Sequence, residues 1–366
     1  MNKTTKDNLM RYALTPLSWA YGACTWVRNK MFDDGMLKEE SFSIPVIGVG
    51  NLTVGGTGKT PHVEYIVDHF CRKYNVAVLS RGYKRKTKGF VLANPHSTPD
   101  IIGDEPMQIF QKFGHKAKVA VCEKRGEGIR ELQRLFPDLQ LIILDDAFQH
   151  RYVKPKVSIL LMDSHRPFYA DRLLPLGRLR ESSRQADRAD VVIVTKCPED
   201  LPPIEANVIS KKLDLMGFQK LFFSKYTYSP LEPVFPEDAP FSVDITRLES
   251  RDSVLLLTGV ANPRSFVRHF KNYPFRVKID HFPDHHDFSR HDINEITKKF
   301  KTMKGEHKLI VTTEKDAVRL AFNPYYPKEL KPYTYFLPLK VQMVDYPSAS
   351  GDFLTILENL IEQKEG

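Results

Sequence analysis

The chain has 366 residues, of which 42% are hydrophobic and 27% charged, and its formal net charge is +9. This length predicts about two domains, and the hydrophobic fraction excludes a disordered or fibrous protein. The excess of 54 lysines and arginines over 45 acids predicts an anionic partner, either nucleic acid, a phosphorylated small molecule or an anionic membrane. Four widely spaced cysteines without a CxxC motif argue against a zinc ribbon or a disulfide scaffold and favour a reducing cytoplasm.

The first 32 residues predict an amphipathic helix that lies either on a membrane or on the body of the protein. Lys3, Lys6 and Arg11 precede the only two tryptophans of the chain, Trp19 and Trp26. Tryptophans flanked by cations are typical of helices in a membrane interface. Polar residues interrupt the apolar stretch, which disfavours a signal peptide, and no run reaches the roughly 18 apolar residues of a transmembrane helix.

Residues 33–204 predict a P-loop NTPase-like core domain of the α/β class, with a doubly wound, mainly parallel sheet. Short and almost continuously apolar segments alternate with helical ones, as a parallel sheet covered on both faces requires. The predicted strands are 45–51, 75–80, 117–122, 139–146, 157–163 and 190–196, with helices between them that include 60–73 and 126–136.

The segment GVGNLTVGGTGKTP at 48–61 follows the first predicted strand and precedes a helix, as a phosphate-binding loop does. Its glycines let the backbone turn tightly and point N–H groups at phosphates. Lys59 can reach the β- and γ-phosphates, and the Thr60 hydroxyl can hold Mg²⁺. Thr53 replaces the first glycine of the strict motif. The predicted nucleotide-binding residues are Thr53, Val54, Gly55, Gly56, Thr57, Gly58, Lys59 and Thr60.

Two polar segments follow in chain order. RGYKRKTKG at 81–89 holds five cations and no acid. It favours a phosphate-bearing substrate or lipid headgroups over nucleic acid, because few aromatic residues are available for base stacking. IGDEP at 102–106 places Asp104 and Glu105 at a helix start. These acids either cap the helix or include the base that a phosphoryl acceptor needs.

Asp145 and Asp146 stand side by side at the end of a predicted strand. Two adjacent carboxylates are costly to bury without a cation, so with the P-loop upstream they predict a Mg²⁺ site shared with Thr60. A later arginine-rich loop carries Arg180 and Glu181, and arginines near a γ-phosphate can neutralise its charge during transfer.

Residues 205–325 predict a second, smaller α/β domain, and residues 326–366 predict a final strand and helix. The stretch FPDHHDFSRHD at 282–292 offers His285 or His286 as an imidazole paired with a carboxylate, as a metal ligand, or as part of a polar loop. The TTEKD motif ends a strand of this domain. It either reaches the nucleotide when the domains close or caps a helix.

A P-loop is also compatible with a GTPase switch or a metallochaperone. In that interpretation the histidine cluster handles a metal, and TKCPED at 195–200 replaces the guanine-reading NKxD motif. Lys196 matches the lysine of NKxD, but Thr195 replaces its asparagine and Glu199 misses its aspartate position, which weakens guanine specificity. A third possibility, a nucleic-acid-binding NTPase, is favoured only by the total charge.

The chain resembles the tetraacyldisaccharide 4′-kinases of lipid A biosynthesis over most of residues 1–320. The resemblance rests on seven motifs in the family's order, which are GNLTVGGTGKTP, RGYKRK, GDEP, DDAFQHR, PLGRLRE, DHHDF and TTEKD. The family's P-loop also lacks the first glycine. Its second motif is usually DDGFQH, so that Ala147 replaces a glycine here.

This resemblance implies transfer of the ATP γ-phosphoryl group to the 4′-hydroxyl of a tetraacyldisaccharide 1-phosphate. It implies that Asp104 accepts the hydroxyl proton and that His285, or the adjacent His286, tunes that base. It further implies a membrane-associated N-terminal helix on the cytoplasmic face of the bacterial inner membrane, peripheral or monotopic. The expected partners are an acylated disaccharide phosphate glycolipid and a membrane surface, with no nucleic acid and no obligate protein partner.

The resemblance also implies how ATP and Mg²⁺ are held. Lys59 and Thr60 would bind the phosphates and the metal, while Asp145 and Asp146 would organise the metal and the γ-phosphate. The further residues expected to line the site are Gln149, His150, Arg180 and Glu181.

Overall fold

The computed structural model describes residues 3–239, 241–346 and 351–363, with side chains from residue 14 onward. The cations Lys3, Lys6 and Arg11, which the sequence places at the start of the first helix, therefore lie outside the described side chains. The described chain contains two mainly parallel sheets, one of nine strands and one of five. This confirms the predicted pair of α/β units.

The larger sheet has the order β14-β8-β7-β6-β1-β5-β2-β4-β3, in which only the edge strands β14 and β3 run antiparallel to their neighbours. Its strands are β1 (Val46–Asn51), β2 (Val76–Ser80), β3 (Val91–Leu92), β4 (Ala117–Val121), β5 (Leu141–Asp145), β6 (Val157–Asp163), β7 (Val191–Thr195), β8 (Lys220–Tyr228) and β14 (Leu339–Val344). The central strands are buried throughout, which explains their continuous apolar sequence.

Helices cover both faces of this sheet. They are α2 (Lys59–Phe70), α3 (Pro99–Ile102), α4 (Asp104–Phe113), α5 (Arg125–Leu135), α6 (Pro203–Leu213) and α10 (Phe353–Glu362). The apolar sides of α2 and α10 pack on one face through Ile66, Phe70 and Leu357, while α5 packs on the other through Ile129 and Leu132. The sheet is therefore doubly wound, as predicted.

The smaller sheet has the order β11-β10-β12-β13-β9, and only β9 is antiparallel. Its strands are β9 (Glu232–Pro233), β10 (Ser253–Thr258), β11 (Arg276–His281), β12 (Lys308–Thr313) and β13 (Thr334–Leu337). Three helices accompany it, α7 (Arg264–Lys271), α8 (Arg290–Thr302) and α9 (Glu314–Ala321). Helix α9 lies against α4 of the larger unit and brings the two units into contact near the P-loop.

The sheets do not follow the sequence-based limits at 205 and 325. Strand β8 pairs with β7 of the larger sheet, while β13, beyond 325, pairs with β12 of the smaller one. The sequence of a single strand does not show which strand it pairs with, so tertiary hydrogen bonds determine the sheet to which it belongs. We propose that the smaller domain runs from 232 to 337, with β14 and α10 returning to the larger one.

From residue 14 onward, the first helix, α1 (Lys3–Asp33), packs on the larger unit along one side. Asn29 and Phe32 are buried against the body, whereas Trp19 and Trp26 are 74% and 66% exposed. Nowhere in the described part of the chain does a helix combine the length and apolar character needed to cross a bilayer.

A test of the core concerns Gly50 in β1. A methyl group there would lie 2.6 Å from Cβ and 2.7 Å from the backbone N of Phe148. We expect Gly50→Ala to lower the free energy of unfolding by about 1–3 kcal/mol, because overpacking displaces the loop that carries Phe148. Urea denaturation measures the change. Gly217→Ala is the matched control, since nothing lies within 4 Å of its added methyl group, and an equal loss in both variants would contradict the explanation.

Candidate active site

The P-loop lies where β1 ends between β5 and β6, at the carboxyl edge of the larger sheet. Two of its glycines are required by their backbone. Gly55 and Gly58 have φ of 112° and 92°, in the left-handed region that side chains rarely adopt. A Cβ at Gly58 would also lie 2.0 Å from the hydroxyl of Tyr226. The loop thus leads directly into the N-terminus of α2, the end of a helix that favours anions.

The segment after β7 supports this loop from the side. The Thr195 hydroxyl donates to the carbonyl of Thr57 at 2.8 Å. The Lys196 ammonium donates to the carbonyl of Gly56 and pairs with Asp163 at 2.7 Å. Thr195 and Lys196, which the sequence offered as part of a guanine-reading motif, are therefore occupied in holding the P-loop.

Lys59 and Arg180 converge on Asp146. Lys59 Nζ lies 3.4 Å from Asp146 Oδ1 and 3.3 Å from Asn51 Oδ1. Arg180 Nη1 lies 3.1 Å from Asp146 Oδ1 and 3.1 Å from Gln149 Oε1. Gln149 in turn donates to the carbonyl of Asn51 at 2.8 Å. Four predicted site residues thus form one network around the end of β1.

The adjacent acids of β5 have opposite electrostatics. Burial, reinforced by the neighbouring Asp146, raises the pKa of Asp145 to about 6. Burial acts on Asp146 in the same direction, but the charges of Lys59 and Arg180 outweigh it and lower the pKa of Asp146. Asp146 is therefore ionised at neutral pH through its cations, while Asp145 is held in a position that disfavours its charge.

Asp145 fits a cation site. Ser80 donates to its Oδ2 at 3.2 Å, but among the described residues no donor reaches its buried Oδ1. A buried carboxylate oxygen without a partner is costly, and a divalent cation would satisfy it. Asp145, Asp146 and Thr60 all offer oxygen atoms, the ligand type that Mg²⁺ prefers, and we propose them as the metal ligands.

The Asp104 carboxylate lies at the N-terminus of α4 and is 2% exposed. His285 Nδ1 lies 2.8 Å from its Oδ2, and Arg319 Nε lies 2.9 Å from each of its oxygens. Burial opposes ionisation, but these two partners lower the pKa of Asp104. The predicted Asp104–His285 contact is present, and it joins the two sheets.

His286 takes a different position from its neighbour. Its Nε2 lies 3.0 Å from Asp292 Oδ2, and its ring stacks on Phe282. Asp292 belongs to the capping box of α8 with Ser289. Of the two histidines that the sequence left open, the structure brings His285 to Asp104 and uses His286 at a helix start.

Helix α1 contacts the segments that carry Arg180 and Gln149. The Tyr21 hydroxyl donates to the carbonyl of Arg180 at 2.8 Å, and Arg28 donates to the carbonyl of Gln149 at 2.8 Å. Glu181, 1% exposed, pairs with Arg188 at 2.7 Å and with Arg28 at 3.5 Å. Glu181 thus joins α1 to the segment that carries Arg188.

His150 lies in a positive region. Its Nε2 accepts from the backbone N–H of Arg125 at 3.3 Å. Burial, together with the charges of Arg125, Arg28 and Arg81, lowers the pKa of His150 to about 4. The imidazole is therefore neutral at physiological pH. Of these arginines Arg125 is buried and donates to the backbone carbonyls of Cys122 and Asp145, whereas Arg81 is exposed.

Four residues outside the predicted site set contact it, and they are Tyr21, Arg28, Lys315 and Arg319. Of these, Lys315 belongs to the TTEKD motif, which the sequence offered only as a segment that reaches the nucleotide or caps a helix. Lys315 and Arg319 stand four residues apart, and such spacing on a predicted helix indicates a shared face. Tyr21 and Arg28 have no comparable signal, because an amphipathic pattern does not show which side chains of the helix contact the body of the protein.

Comparison with known proteins agrees with this arrangement. The family model described as tetraacyldisaccharide-1-P 4′-kinase matches residues 10–359. The chain belongs to this family. The tetraacyldisaccharide 4′-kinase of Bacteroides thetaiotaomicron is 51% identical, with 90% of this chain and 88% of the relative covered. That of Flavobacterium johnsoniae is 44% identical, over 93% and 94% of the two chains.

A solved member of the family has the same fold. The crystal structure of LpxK from Aquifex aeolicus in complex with ATP matches with a TM-score of 0.72 and 28% identity, over 96% of this chain and 98% of that one.

The opposite electrostatics of the two aspartates lead to a stability test without nucleotide and with EDTA. The pKa of Asp145 is raised in the folded state, so its ionisation costs stability as the pH rises from about 4 to about 6. We expect the free energy of unfolding of Asp145→Asn to exceed that of wild type by up to about 3 kcal/mol at pH 7.5. This advantage should fade as the pH falls from about 6 to about 4, and urea denaturation across that range measures it.

Asp146→Asn is the matched control. Because Lys59 and Arg180 lower the pKa of Asp146, its charge stabilises the fold, and the substitution should reduce stability at pH 7.5. If both variants changed stability in the same direction at pH 7.5, the assignment of opposite electrostatics would be wrong.

Proposed function

We propose that this protein transfers the γ-phosphoryl group of ATP to the 4′-hydroxyl of a tetraacyldisaccharide 1-phosphate, a lipid A precursor. One observation carries the proposal. Lys59 from the P-loop helix and Arg180 from a separate loop converge on Asp146, while the Asp104–His285 pair joins the second unit to the same edge. Phosphoryl transfer requires alignment and charge neutralisation, and these residues supply both.

The P-loop residues act on the nucleotide. Backbone N–H groups of the loop bind the phosphates, and Lys59 and Arg180 neutralise negative charge that accumulates on the transferred group. When Mg²⁺ is bound, Thr60, Asp145 and Asp146 would hold it, and it would supply further charge neutralisation on the phosphate oxygens. Gln149 fixes the position of Arg180 through its amide oxygen.

Asp104 receives the acceptor hydroxyl. Its lowered pKa keeps it ionised, so it can accept a hydrogen bond from the 4′-hydroxyl and orient the oxygen towards the phosphate. In a loose transition state the hydroxyl proton transfers late, when the attacking oxygen has become acidic, and a weakly basic carboxylate is then sufficient. His285 positions the carboxylate through its Nδ1.

The glycolipid itself has two features that the surface matches. Its existing phosphate suits the exposed Arg81 and the half-buried Arg28, both near His150. Its acyl chains require a membrane, and α1 contributes both Arg28 and the exposed Trp19 and Trp26. The protein would thus work as a peripheral or monotopic enzyme on the cytoplasmic face of the bacterial inner membrane.

The first test separates the base from the nucleotide site. We expect Asp104→Asn to lower kcat for phosphate transfer to the glycolipid by at least about 100-fold, with the KM for ATP changed less than about threefold. Radiolabelled ATP and a tetraacyldisaccharide 1-phosphate in detergent measure both. The control is Asp100→Asn. Asp100 lies on α3 in an exposed pair with Lys86, and its substitution should leave kcat and the KM for ATP unchanged.

Two outcomes would overturn the assignment. A parallel loss of ATP binding in Asp104→Asn would place Asp104 in the nucleotide site. Transfer of phosphate from GTP but not ATP, or hydrolysis without transfer to the glycolipid, would instead support the GTPase interpretation of the P-loop.

The second test concerns the membrane. We expect the double variant Trp19→Ser/Trp26→Ser to bind vesicles of phosphatidylethanolamine and phosphatidylglycerol roughly thirtyfold more weakly, because each lost indole removes about 1 kcal/mol of apolar burial. Vesicle flotation measures the bound fraction. Phe241→Ser removes an equally exposed aromatic residue from the smaller domain and should bind as wild type does. Equal weakening in both variants would argue against α1 as the membrane contact.

A further inference from the structure

Helix α9 presents two cations to the Asp104–His285 pair. Arg319 holds both oxygens of Asp104 at 2.9 Å. Lys315, one turn earlier, places its Nζ 2.8 Å from Nε2 of His285. The histidine therefore has a partner on each ring nitrogen, Asp104 on Nδ1 and Lys315 on Nε2.

These two partners permit a single tautomer of His285. An ionised carboxylate only accepts hydrogen bonds, so Nδ1 must carry a proton in order to donate to Asp104. An ammonium group only donates, so Nε2 must offer its lone pair to Lys315. Asp284 at 3.1 Å and Glu105 at 3.4 Å match the positive charge of Lys315.

We propose that Lys315 is a positioning residue of the kinase, which holds His285 in the Nδ1–H tautomer and thereby keeps the Asp104 carboxylate available to the acceptor hydroxyl. The proposal rests on Asp104 as the base of the proposed function. Lys315 itself acts through His285 and needs no contact with either substrate.

A cation site is the main competing explanation of this cluster. Asp104, Glu105 and His285 offer ligand atoms that all lie within 4.8 Å of one another. The Lys315 ammonium, however, already lies beside His285 Nε2 and 3.4 Å from Glu105 Oε1. The positive charge that these acids require is thus supplied by the chain itself.

The charged and titratable groups around His285 determine what removal of Lys315 does. The groups that face it are Asp104 and Glu105 from α4, Lys315 and Arg319 from α9, Asp284 and Asp287 from its own loop, and Tyr83, whose ring lies 5.3 Å from the imidazole. Without Lys315 the four acids face one arginine and favour the imidazolium form. An imidazolium beside Asp104 makes the carboxylate a poorer acceptor of the hydroxyl proton.

The test compares Lys315→Met with the conservative Lys315→Arg and with Lys301→Met, which removes a lysine from an exposed pair with Glu329 on the same domain. Steady-state kinetics with ATP and the glycolipid give kcat and the KM for ATP across pH. Histidine-labelled ¹⁵N spectra of the full chain report the tautomer of His285, assigned by the signal lost in His285→Gln. The spectra require no turnover, so they remain informative if Asp104 is not the base.

We expect Lys315→Met to lower kcat about tenfold at neutral pH with the KM for ATP unchanged. The acid limb of its pH profile should move roughly one unit to higher pH, and its spectrum should lose the pure Nδ1–H signature. Lys315→Arg should recover most of kcat, and Lys301→Met should match wild type.

Three results would overturn the proposal. An unchanged tautomer and pH profile in Lys315→Met would reduce Lys315 to a packing role, even if kcat fell. A raised KM for ATP with an unchanged tautomer would make Lys315 a nucleotide ligand. An unchanged kcat would remove its part in the reaction. By contrast, full activity of Asp104→Asn would overturn the base assignment while leaving the tautomer result intact.

Discussion

Two neighbouring carboxylates at the buried end of β5 impose the arrangement of the whole site. Asp145 and Asp146 repel each other, and Asp145 is buried, so that water screens its charge only weakly. Cations must therefore come to them, and Lys59 and Arg180 do so from two separate segments. Within the part of the chain that the structure describes, Asp145 still lacks a positive partner, and this strand end is therefore suited to a divalent cation. The unpaired carboxylate lowers the stability of the unliganded protein.

A second polar cluster holds the helix that begins with Asp104, the proposed base. Lys112 of α4 lies 2.6 Å from Glu64 of α2 and 2.6 Å from Glu314 of α9, and Gln108 donates to Glu64 at 2.7 Å. Burial raises the pKa of both glutamates, and Lys112 opposes this shift. The P-loop helix, the helix that begins with Asp104 and the helix of the second domain thus meet in one buried network. Movement of one domain relative to the other would therefore change the position of Asp104.

Much of this organisation was predictable from local pattern. The apolar segments indicated the parallel strands, because a strand buried on both faces has no polar positions. The glycines before Lys59 indicated the P-loop, because a tight phosphate-binding turn requires backbone angles that most side chains do not allow. The DHHDF segment indicated a histidine near a carboxylate, but it could not choose between His285 and His286. Both histidines are followed closely by acids, and the choice depends on which ring faces α4.

Local pattern therefore specified the chemistry of each segment, since residue type and spacing determine which groups a strand end or loop can offer. Tertiary packing selected the partners of those groups. It assigned β8 to the larger sheet and turned Glu181 towards Arg28 of α1. It also brought Arg319 of α9 to Asp104, 215 residues earlier in the chain, and Lys315 to His285 and Glu105. Hydrogen bonds and ion pairs depend on distance in space, and the linear order of residues does not encode that distance directly.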